Sequence, residues 1–283
     1  MTASVATPDA ALDRTASAAD LVRASVDAMA PVGLDVVTER AELLTRVDRK
    51  YFVPAALFGE LAGQLAGDYG VLDIAGRRLF GYESTYFDTP DLVSYRHHLQ
   101  GRRRRFKVRV RTYLDSGDSM LEVKLKGYRG ATVKHRTSHV WGGRRVLTPA
   151  AHQFVADVVG DAYGLCSRSD LVPTIVTANH RSTLASVKEG ARVTCDVRVT
   201  CGDGERVVRM NDDVVLVETK AGPEGSLADR WMRELGLRPV SVSKYCAGVA
   251  LLRPEVASNP WHRILRRHFD APIASLAHPS VSS

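Results

Sequence analysis

Long apolar runs are missing from this sequence of 283 residues. No stretch approaches the roughly 18 apolar residues that a transmembrane helix requires, so we predict a chain without a membrane span. The first twenty residues acquire charge before any apolar segment develops, which is unlike a secretory signal. Cysteine is scarce, and its positions show neither zinc-ligand spacing nor a disulfide framework: Cys166, Cys195, Cys201 and Cys246. These absences together predict a cytoplasmic location.

Acidic residues are outnumbered by basic ones. The sequence has 39 lysines and arginines against 32 aspartates and glutamates, which gives a net charge of +7 and a pI near 9.4. Because the basic excess is concentrated between Arg96 and Arg145, we expect an anionic partner. Nucleic acid, an acidic membrane surface and a phosphate-rich small molecule all remain open at this level.

Strand-like segments dominate the chain and predict an α+β fold around a large antiparallel sheet. The predicted strands are Thr45–Val53, Phe80–Phe87, Phe106–Tyr113, Met120–Lys126, Thr132–Val140, Thr174–Leu184, Arg192–Thr200, Glu205–Met210 and Val214–Thr219. The predicted helices are Ala19–Met29, Pro54–Ala66, Pro149–Gly164, Ser226–Leu235 and a last one from Ser243. Turn sequences at Asp115–Asp118, Gly127–Gly130 and Cys201–Glu205 favour antiparallel neighbours.

The same pattern predicts a division of the chain into three parts. Residues 1–30 are expected to be a flexible N-terminal segment, residues 31–256 the folded domain, and residues 257–283 a peripheral C-terminal tail. The segment Tyr86–Thr89 is expected to be structural, with Asp88 and Pro90 forming a turn.

Charged residues recur at every second position of the predicted strands. Side chains two positions apart in a strand share a face, so Lys107, Arg109 and Arg111 point the same way, opposite Val108 and Val110. Five further strands repeat the alternation: Arg46, Asp48 and Lys50; Glu122, Lys124 and Lys126; Lys134 and Arg136; Arg192, Thr194, Asp196 and Arg198; Glu218 and Lys220. Six strands therefore have one charged and mostly basic face.

Two arrangements fit this alternation. The charged faces could lie toward solvent, with valine and leucine in the core. Alternatively, the sheet closes into a barrel whose apolar outer face is covered by helices and whose lumen holds a polyanion. Solvated faces usually mix both signs, and like charges on adjacent strands repel unless an anion lies among them. The basic bias favours a closed antiparallel β-barrel with flanking helices, but the sequence alone does not fix which face is inward.

A basic lumen suits a chain of phosphates. Arginine binds phosphate oxygens through paired hydrogen bonds, and lysine acts as a point charge. Phosphoryl transfer depends mainly on positioning and charge neutralisation, to which a divalent ion normally contributes. Glu122, Asp196 and Glu218 are candidate ligands for Mn2+ or Mg2+, with internal salt bridges as the alternative. Nucleic acid is disfavoured because no aromatic platform is interleaved with the basic residues.

Six motifs occur in one order along the chain: Arg46–Tyr51 (RVDRKY), Ser84–Leu92 (STYFDTPDL), Lys107–Arg111 (KVRVR), Leu121–Lys124 (LEVK), Val217–Lys220 (VETK) and Ser243–Tyr245 (SKY). Each motif is short, but the ordered set is specific. It resembles the triphosphate tunnel metalloenzymes, or CYTH superfamily, and within them the VTC-type polyphosphate polymerase domain. The resemblance covers roughly Val36 to Leu252.

The resemblance implies a triphosphate tunnel that transfers the terminal phosphate of ATP to a growing polyphosphate chain, with Mn2+ or Mg2+, and releases ADP. It implies catalytic roles for Lys50, Arg109, Arg111, Lys124 and Glu218, with Glu218 also at the metal. Further phosphate contacts are implied for Arg46, Lys107, Lys134, Arg136, Arg181, Arg192, Lys220, Ser243 and Lys244, the last two near a tunnel mouth.

The first-strand motif departs from the broader superfamily, which usually has two glutamates where this chain has Arg46 and Asp48. Loss of a carboxylate removes a metal ligand or water activator, so the departure favours transfer over hydrolysis. The alternatives are an inorganic or nucleoside triphosphatase that uses the same tunnel, and a non-catalytic module that binds polyphosphate. ATP and polyphosphate or triphosphate are the expected ligands, and a membrane protein that receives the product is compatible with the sequence.

Overall fold

The computed structural model describes residues 16–39, 47–127, 132–164, 170–186 and 188–275. Within these ranges the chain forms eight α-helices and twelve β-strands. The strands are β1 Pro31–Val32, β2 Val47–Pro54, β3 Gly70–Leu72, β4 Phe80–Asp88, β5 Phe106–Tyr113, β6 Ser119–Lys126, β7 Thr132–His139, β8 Val172–Ser186, β9 Ala191–Gly202, β10 Arg206–Arg209, β11 Val214–Ala221 and β12 Ile273–Ala274. The helices are α1 Ala18–Asp27, α2 Leu34–Glu39, α3 Phe58–Leu65, α4 Val93–Leu99, α5 Pro149–Tyr163, α6 Leu227–Glu234, α7 Lys244–Leu252 and α8 His262–His268.

All twelve strands belong to one sheet. Its main path runs β2-β11-β9-β8-β4-β5-β6-β7, and every neighbour on that path is antiparallel. The predicted α+β class and antiparallel sheet are confirmed, although the short strands β1 and β3 pair in parallel.

The expected closure of the barrel is only partly correct. Among the described residues β2 pairs with β11 alone and β7 with β6 alone, so no hydrogen-bonded ladder joins the two end strands. The sheet is curled, with a seam between β2 and β7. The Arg46 and Cys166 predictions and most of the predicted Gly127–Gly130 turn lie outside the described residues.

Helices cover the apolar face of the curled sheet, as its alternating pattern requires. Helix α5 packs Val155 and Val159 against Val108 of β5 and Val123 of β6. Its ends are fixed locally, since Thr148 caps the first turn and Gly164 ends the helix at a φ of +63°. Helices α1, α3 and α6 cover strands β2, β9 and β11 in a second cluster.

A third apolar cluster lies where α4, α7 and α8 meet one end of the sheet. Asp88 is fully buried here and accepts hydrogen bonds from the backbone N–H groups of Thr89, Ser94 and Tyr95 at 2.8, 2.8 and 2.9 Å. The hydroxyl of Tyr245 on α7 donates to the same carboxylate. The segment that contains Asp88 is thus structural, as predicted, because it ties α4 and α7 to the sheet.

Two of the predicted segments, at the two ends of the described residues, contain side chains that pack against the core. The segment 1–30 was expected to be flexible, but α1 buries Val22 and Val26 completely against the core. Residues 257–283 were expected to be peripheral, but Trp261, Leu265 and Phe269 are buried in the third cluster, and β12 pairs with β10. Apolar side chains on the short helices α1 and α8 make these contacts. None of the helices in the described residues has the length and apolar character needed to cross a bilayer.

Candidate functional site

Most of the charged residues that alternate along the main strands share the face that the helices do not cover. Their apolar neighbours lie under α5 and the other helices, while Arg109, Glu122 and Asp196 on the charged face are only 7%, 1% and 1% exposed. A face this buried is not the solvent side of the sheet. We call it the inner face, and it corresponds to the second arrangement that the sequence left open.

Three lysines of the inner face stand directly beside one another on adjacent strands. Lys107 of β5 is in register with Lys124 of β6, which is in register with Lys134 of β7. We call this set the lysine row. Directly opposed like charges destabilise a sheet unless a counter-charge lies among them, so the lysine row indicates an anionic ligand.

The two ends of the sheet face each other across a shared interior. Lys124 lies on β6 and Glu218 on β11, five steps apart along the sheet, yet the Glu218 carboxylate raises the pKa of Lys124 against stronger lowering by Arg109 and burial. Lys50 of β2 likewise lowers the pKa of Lys107 on β5. Charges so far apart along the strand order interact only because the sheet curls around a common space.

Glu122 is held by cations on both of its oxygens. The Arg109 guanidinium donates to Oε2 through Nε at 2.7 Å and through a second nitrogen, and the Lys134 ammonium lies 3.5 Å from Oε1. Burial raises the pKa of Glu122, but Arg109, Arg111 and Lys134 outweigh it and the pKa falls well below its usual range. Glu122 therefore stays ionised and orients Arg109 on the inner face.

Asp196 forms the second buried network. Arg181 donates to its two oxygens at 2.6 and 2.8 Å, Asn179 donates at 3.0 Å, and Lys244 donates from the start of α7. Burial opposes the charge, but Arg181 and Lys244 lower the pKa of Asp196 to about 2. Lys244 therefore reaches into the interior, while the Ser243 hydroxyl accepts from the Cys246 N–H at 3.1 Å and caps α7.

The proposed metal ligands differ in how available they are. Both oxygens of Glu122 and of Asp196 already face cations, which favours the salt-bridge alternative for these two. Glu218 accepts from Lys220 through Oε1, and the same ammonium lies 2.9 Å from Oδ2 of Asp48. Glu218 and Asp48 thus form a pair of carboxylates linked by one lysine.

This carboxylate pair fits a hard divalent ion. Mg2+ in phosphoryl-transfer sites is held by one or two carboxylates together with phosphate oxygens and water, so a large protein cage is not required. The part of the chain that the structure describes contains no group of three or more His, Cys, Asp or Glu side chains that could hold an ion. Glu218 is expected to bind the ion in exchange for its contact with Lys220.

Several inner-face cations form no ion pair with a carboxylate of the described residues. Nε of Arg111 is buried without a hydrogen bond, and burial followed by repulsion from Arg109 lowers its pKa. Arg109, burial and Arg111 together lower the pKa of Lys124 well below its usual range. Burial and then Lys50 also oppose the charge of Lys107. These groups are arranged for an anion that the protein itself does not supply.

The remaining predicted residues occupy less enclosed positions. Lys50 is half-buried in register with Glu218, and Arg192 is half-buried in register with Lys220. Arg136 and Lys134 lie on the exposed strand β7, next to the seam. These positions are far apart in the sequence, and strand pairing brings them together.

Two tyrosines of the inner face were not among the predicted site residues. Tyr86 accepts a hydrogen bond from Arg109 at 3.1 Å, and the ring of Tyr82 lies 5.4 Å from the Arg111 guanidinium and 5.5 Å from that of Arg181. Both residues lie on β4 with a spacing of four, which places them on one face. The spacing of these two tyrosines would have predicted that they share a face, but the prediction followed basic residues and β4 contains none.

The lysine pKa values make phosphate binding sensitive to pH. Burial lowers the pKa of Lys107 and of Lys244 to about 8. Bound phosphate stabilises the charged ammonium, so affinity should fall as pH rises above 8. The stability of the ligand-free fold should change in the opposite direction. The cost of burying these two charges is fully present below pH 8, and it is lost as pH rises toward 10.5, the ordinary pKa of lysine.

We expect tripolyphosphate affinity at pH 9.5 to be at least about tenfold lower than at pH 7.5. Titration calorimetry at constant ionic strength checks this, and Lys107→Met should give a shallower pH dependence. An affinity that stays constant or rises over this range would mean that neither lysine contacts the phosphates.

The sequence matches the family model of the VTC domain over residues 45–253. No curated protein sequence gives a significant match. Among solved structures, a Hippeastrum protein described as a candidate adenylyl cyclase with a dominant triphosphatase activity is 15% identical, with a TM-score of 0.47 over 73% of this chain and 96% of that one. A Bacillus halodurans protein described as a candidate adenylate cyclase is 13% identical, with a TM-score of 0.46 over 71% of this chain and 96% of that one.

Proposed function

We propose that this chain, which belongs to the VTC domain family of polyphosphate-related tunnel proteins, is a polyphosphate polymerase that uses ATP. The observation that carries the proposal is the lysine row, which lies beside two arginines of β5: Arg111, whose buried Nε has no hydrogen-bond partner, and Arg109, which Glu122 orients. Successive cations on adjacent strands fit successive phosphates of a linear chain. A single phosphate would leave most of them unneutralised.

The reaction requires an oxygen of the acceptor chain's terminal phosphate to attack the γ-phosphorus of ATP. The new P–O bond forms as the bond between the γ-phosphorus and the β,γ-bridging oxygen breaks, and ADP leaves with that oxygen. Arg109 and Arg111 would bind non-bridging oxygens of the transferred group, and Lys124 would neutralise charge that moves toward the leaving group. Glu122 and Asp196 would hold Arg109, Arg181 and Lys244 in position.

A divalent ion, Mn2+ or Mg2+, would be held by Glu218 with Asp48 and would supply further charge neutralisation. The side chains on this part of the inner face include Lys50 in addition to the carboxylates, and none is a histidine or cysteine suited to a softer ion. Dependence on ATP also supports the cytoplasm as the location.

Analysis of the products of ATP turnover tests the proposal. The purified protein, incubated with ATP and Mn2+ or Mg2+, should release one ADP for every phosphate found in a polymer resolved by gel electrophoresis. Orthophosphate with no polymer would establish the triphosphatase alternative instead. Polyphosphate binding without any turnover would establish the binding-module alternative.

Substitution of Glu218 tests the metal assignment. Glu218→Gln should raise the metal concentration needed for half-maximal turnover by at least about tenfold, because a neutral amide is a poorer ligand than a carboxylate. The matched control is Glu224→Gln, an exposed glutamate on the following loop. An unchanged metal requirement in the Glu218 variant would exclude this residue as a ligand.

A further inference from the structure

A cavity of about 380 Å3 lies beside the inner face, between the C-terminal end of α4, the segment that precedes α7, and the start of α8. Its apolar walls include Leu99, Val240, Val242, Trp261 and Ile264. This volume falls within the range of small-molecule sites and is large enough for a nucleoside. The cations described above occupy none of these wall positions, so the cavity differs in chemistry from the phosphate site.

One hydrogen bond and one electrostatic effect relate the cavity to the phosphate site. The N–H of Val240, on its wall, donates to the carbonyl of Lys50 at 2.8 Å, which fixes that wall along β2. His98 also lines the cavity, and the charge of Lys107 lowers its imidazole pKa after the larger effect of burial. One end of the lysine row therefore lies next to an apolar cavity.

His98 lines the cavity with a defined tautomer of its ring. Its Nδ1 lies 3.1 Å from the carbonyl oxygen of Ser94, and a carbonyl only accepts, so Nδ1 carries the proton. Burial and Lys107 lower the pKa of His98 to about 3, and the ring is neutral at pH 7. Nε2 is then an acceptor on a ring that lines the cavity, and it suits a ligand N–H donor.

Trp261 gives the cavity a fixed aromatic wall. Its indole nitrogen donates to the carbonyl of Ser241 at 2.8 Å, and its ring makes an edge contact with Tyr95. A fixed indole together with aliphatic walls is suited to a planar aromatic group.

We propose that this cavity binds the adenine of ATP, with the phosphates extending past Lys107 into the tunnel. The proposal rests on the proposed function for the identity of the ligand and deepens it by assigning the nucleoside end. The exocyclic amine of adenine donates to Nε2 of His98, and the ring packs against the apolar walls. A bare phosphate chain uses none of these contacts, since it has neither an aromatic ring nor an N–H group.

The test compares ATP with tripolyphosphate, which lacks the nucleoside. Ile264→Trp enlarges a wall residue and should weaken ATP binding at least tenfold while changing tripolyphosphate binding less than twofold. Ile273→Trp, at an exposed position on β12, is the matched control and should change neither. Equal weakening of both ligands by Ile264→Trp would overturn the proposal, because the cavity would then be occupied by phosphate.

A second measurement needs no substitution at the cavity wall. Wild-type protein should bind ATP at least about tenfold more tightly than inosine triphosphate, which has a carbonyl acceptor in place of the adenine amine. His98→Leu should remove that preference and leave tripolyphosphate affinity unchanged. Equal affinity of the wild type for the two nucleotides would overturn the role of His98 and the adenine assignment.

These binding experiments separate the cavity from the catalytic activity. If the selective loss of ATP binding occurs but no polymer is made, the adenine site stands and the polymerase proposal fails. If polymer is made and the wild type binds ATP no more tightly than inosine triphosphate, the polymerase proposal stands and the adenine site fails.

Discussion

Arg109→Met is expected to abolish detectable phosphate transfer and to lower the free energy of unfolding by about 3–5 kcal/mol. The residue is buried, donates twice to Glu122 and once to Tyr86, and lies directly beside Glu122 in the strand register. Its removal leaves a carboxylate that is 1% exposed and whose remaining ion pair among the described residues is with Lys134, 3.5 Å away. Denaturant unfolding measures the loss of stability, and ADP release measures the loss of activity.

A second substitution separates the two effects. Arg109→Met with Glu122→Gln removes the uncompensated charge, so most of the stability should return while transfer remains absent. The exposed pair Arg77 and Asp115 is the control, because its nitrogen–oxygen distance is 2.5 Å but the Arg77 side chain is 59% exposed. Arg77→Met should cost less than about 1 kcal/mol. Recovery of transfer in the double variant would show that Arg109 only neutralises Glu122.

Much of the fold was predictable because a period of two is a strong local signal. The charged and apolar faces of β5 and β6 follow directly from the alternation around Arg109 and Val123, and the structure places helices over the apolar side, as expected. The caps of α5 and α7 were also predictable, since Thr148 and Ser243 precede helical patterns.

The contacts between strands were not predictable in the same way. Periodicity gives the face of each residue but not its neighbour, so the sequence could not place Lys107, Lys124 and Lys134 in one row. For the same reason Asp196 was a candidate metal ligand in the sequence, whereas its contacts with Arg181 and Lys244 depend on strand register and on α7. The open seam depends likewise on long-range pairing.

The packing of the terminal segments could not be predicted for a different reason. Segments shorter than about ten residues with a few apolar side chains have little intrinsic helical stability, and packing decides whether they fold. Helix α8 contains three cations within seven residues, and its basic character hid the apolar residues that bury it: Ile264, Leu265 and the flanking Trp261 and Phe269. Tertiary contact, which the sequence does not display, made this segment part of the domain.

Arg111→Met is expected to change the free energy of unfolding in the opposite direction from Arg109→Met. Nε of Arg111 is buried without a hydrogen-bond partner, its pKa is lowered by burial and by Arg109, and no described carboxylate forms an ion pair with it. Removal of this charge should raise the free energy of unfolding of the ligand-free protein by about 1 kcal/mol, since a desolvation penalty disappears and only the contact with Tyr82 is lost.

Binding should change in the other direction. The lost charge-assisted contacts are worth about 1.5–3 kcal/mol, so tripolyphosphate affinity should fall by roughly 10- to 150-fold. Arg209→Met, at an exposed position on β10, is the control and should alter neither quantity appreciably. Wild-type affinity in the Arg111 variant would exclude this residue from the phosphate site.

The two effects combine in one thermal experiment. Without ligand the Arg111→Met protein should unfold at a higher temperature than the wild type. As tripolyphosphate is added, each protein gains stability with the logarithm of the ligand concentration divided by its own dissociation constant. The wild type has the lower dissociation constant and gains more, so the order of the two melting temperatures should reverse. A variant that melts below the wild type without ligand would mean that Arg111 stabilises the empty fold, and the inner face would then not be strained by unneutralised charge. Reversal would show that the cations of the tunnel destabilise the protein until phosphate binds.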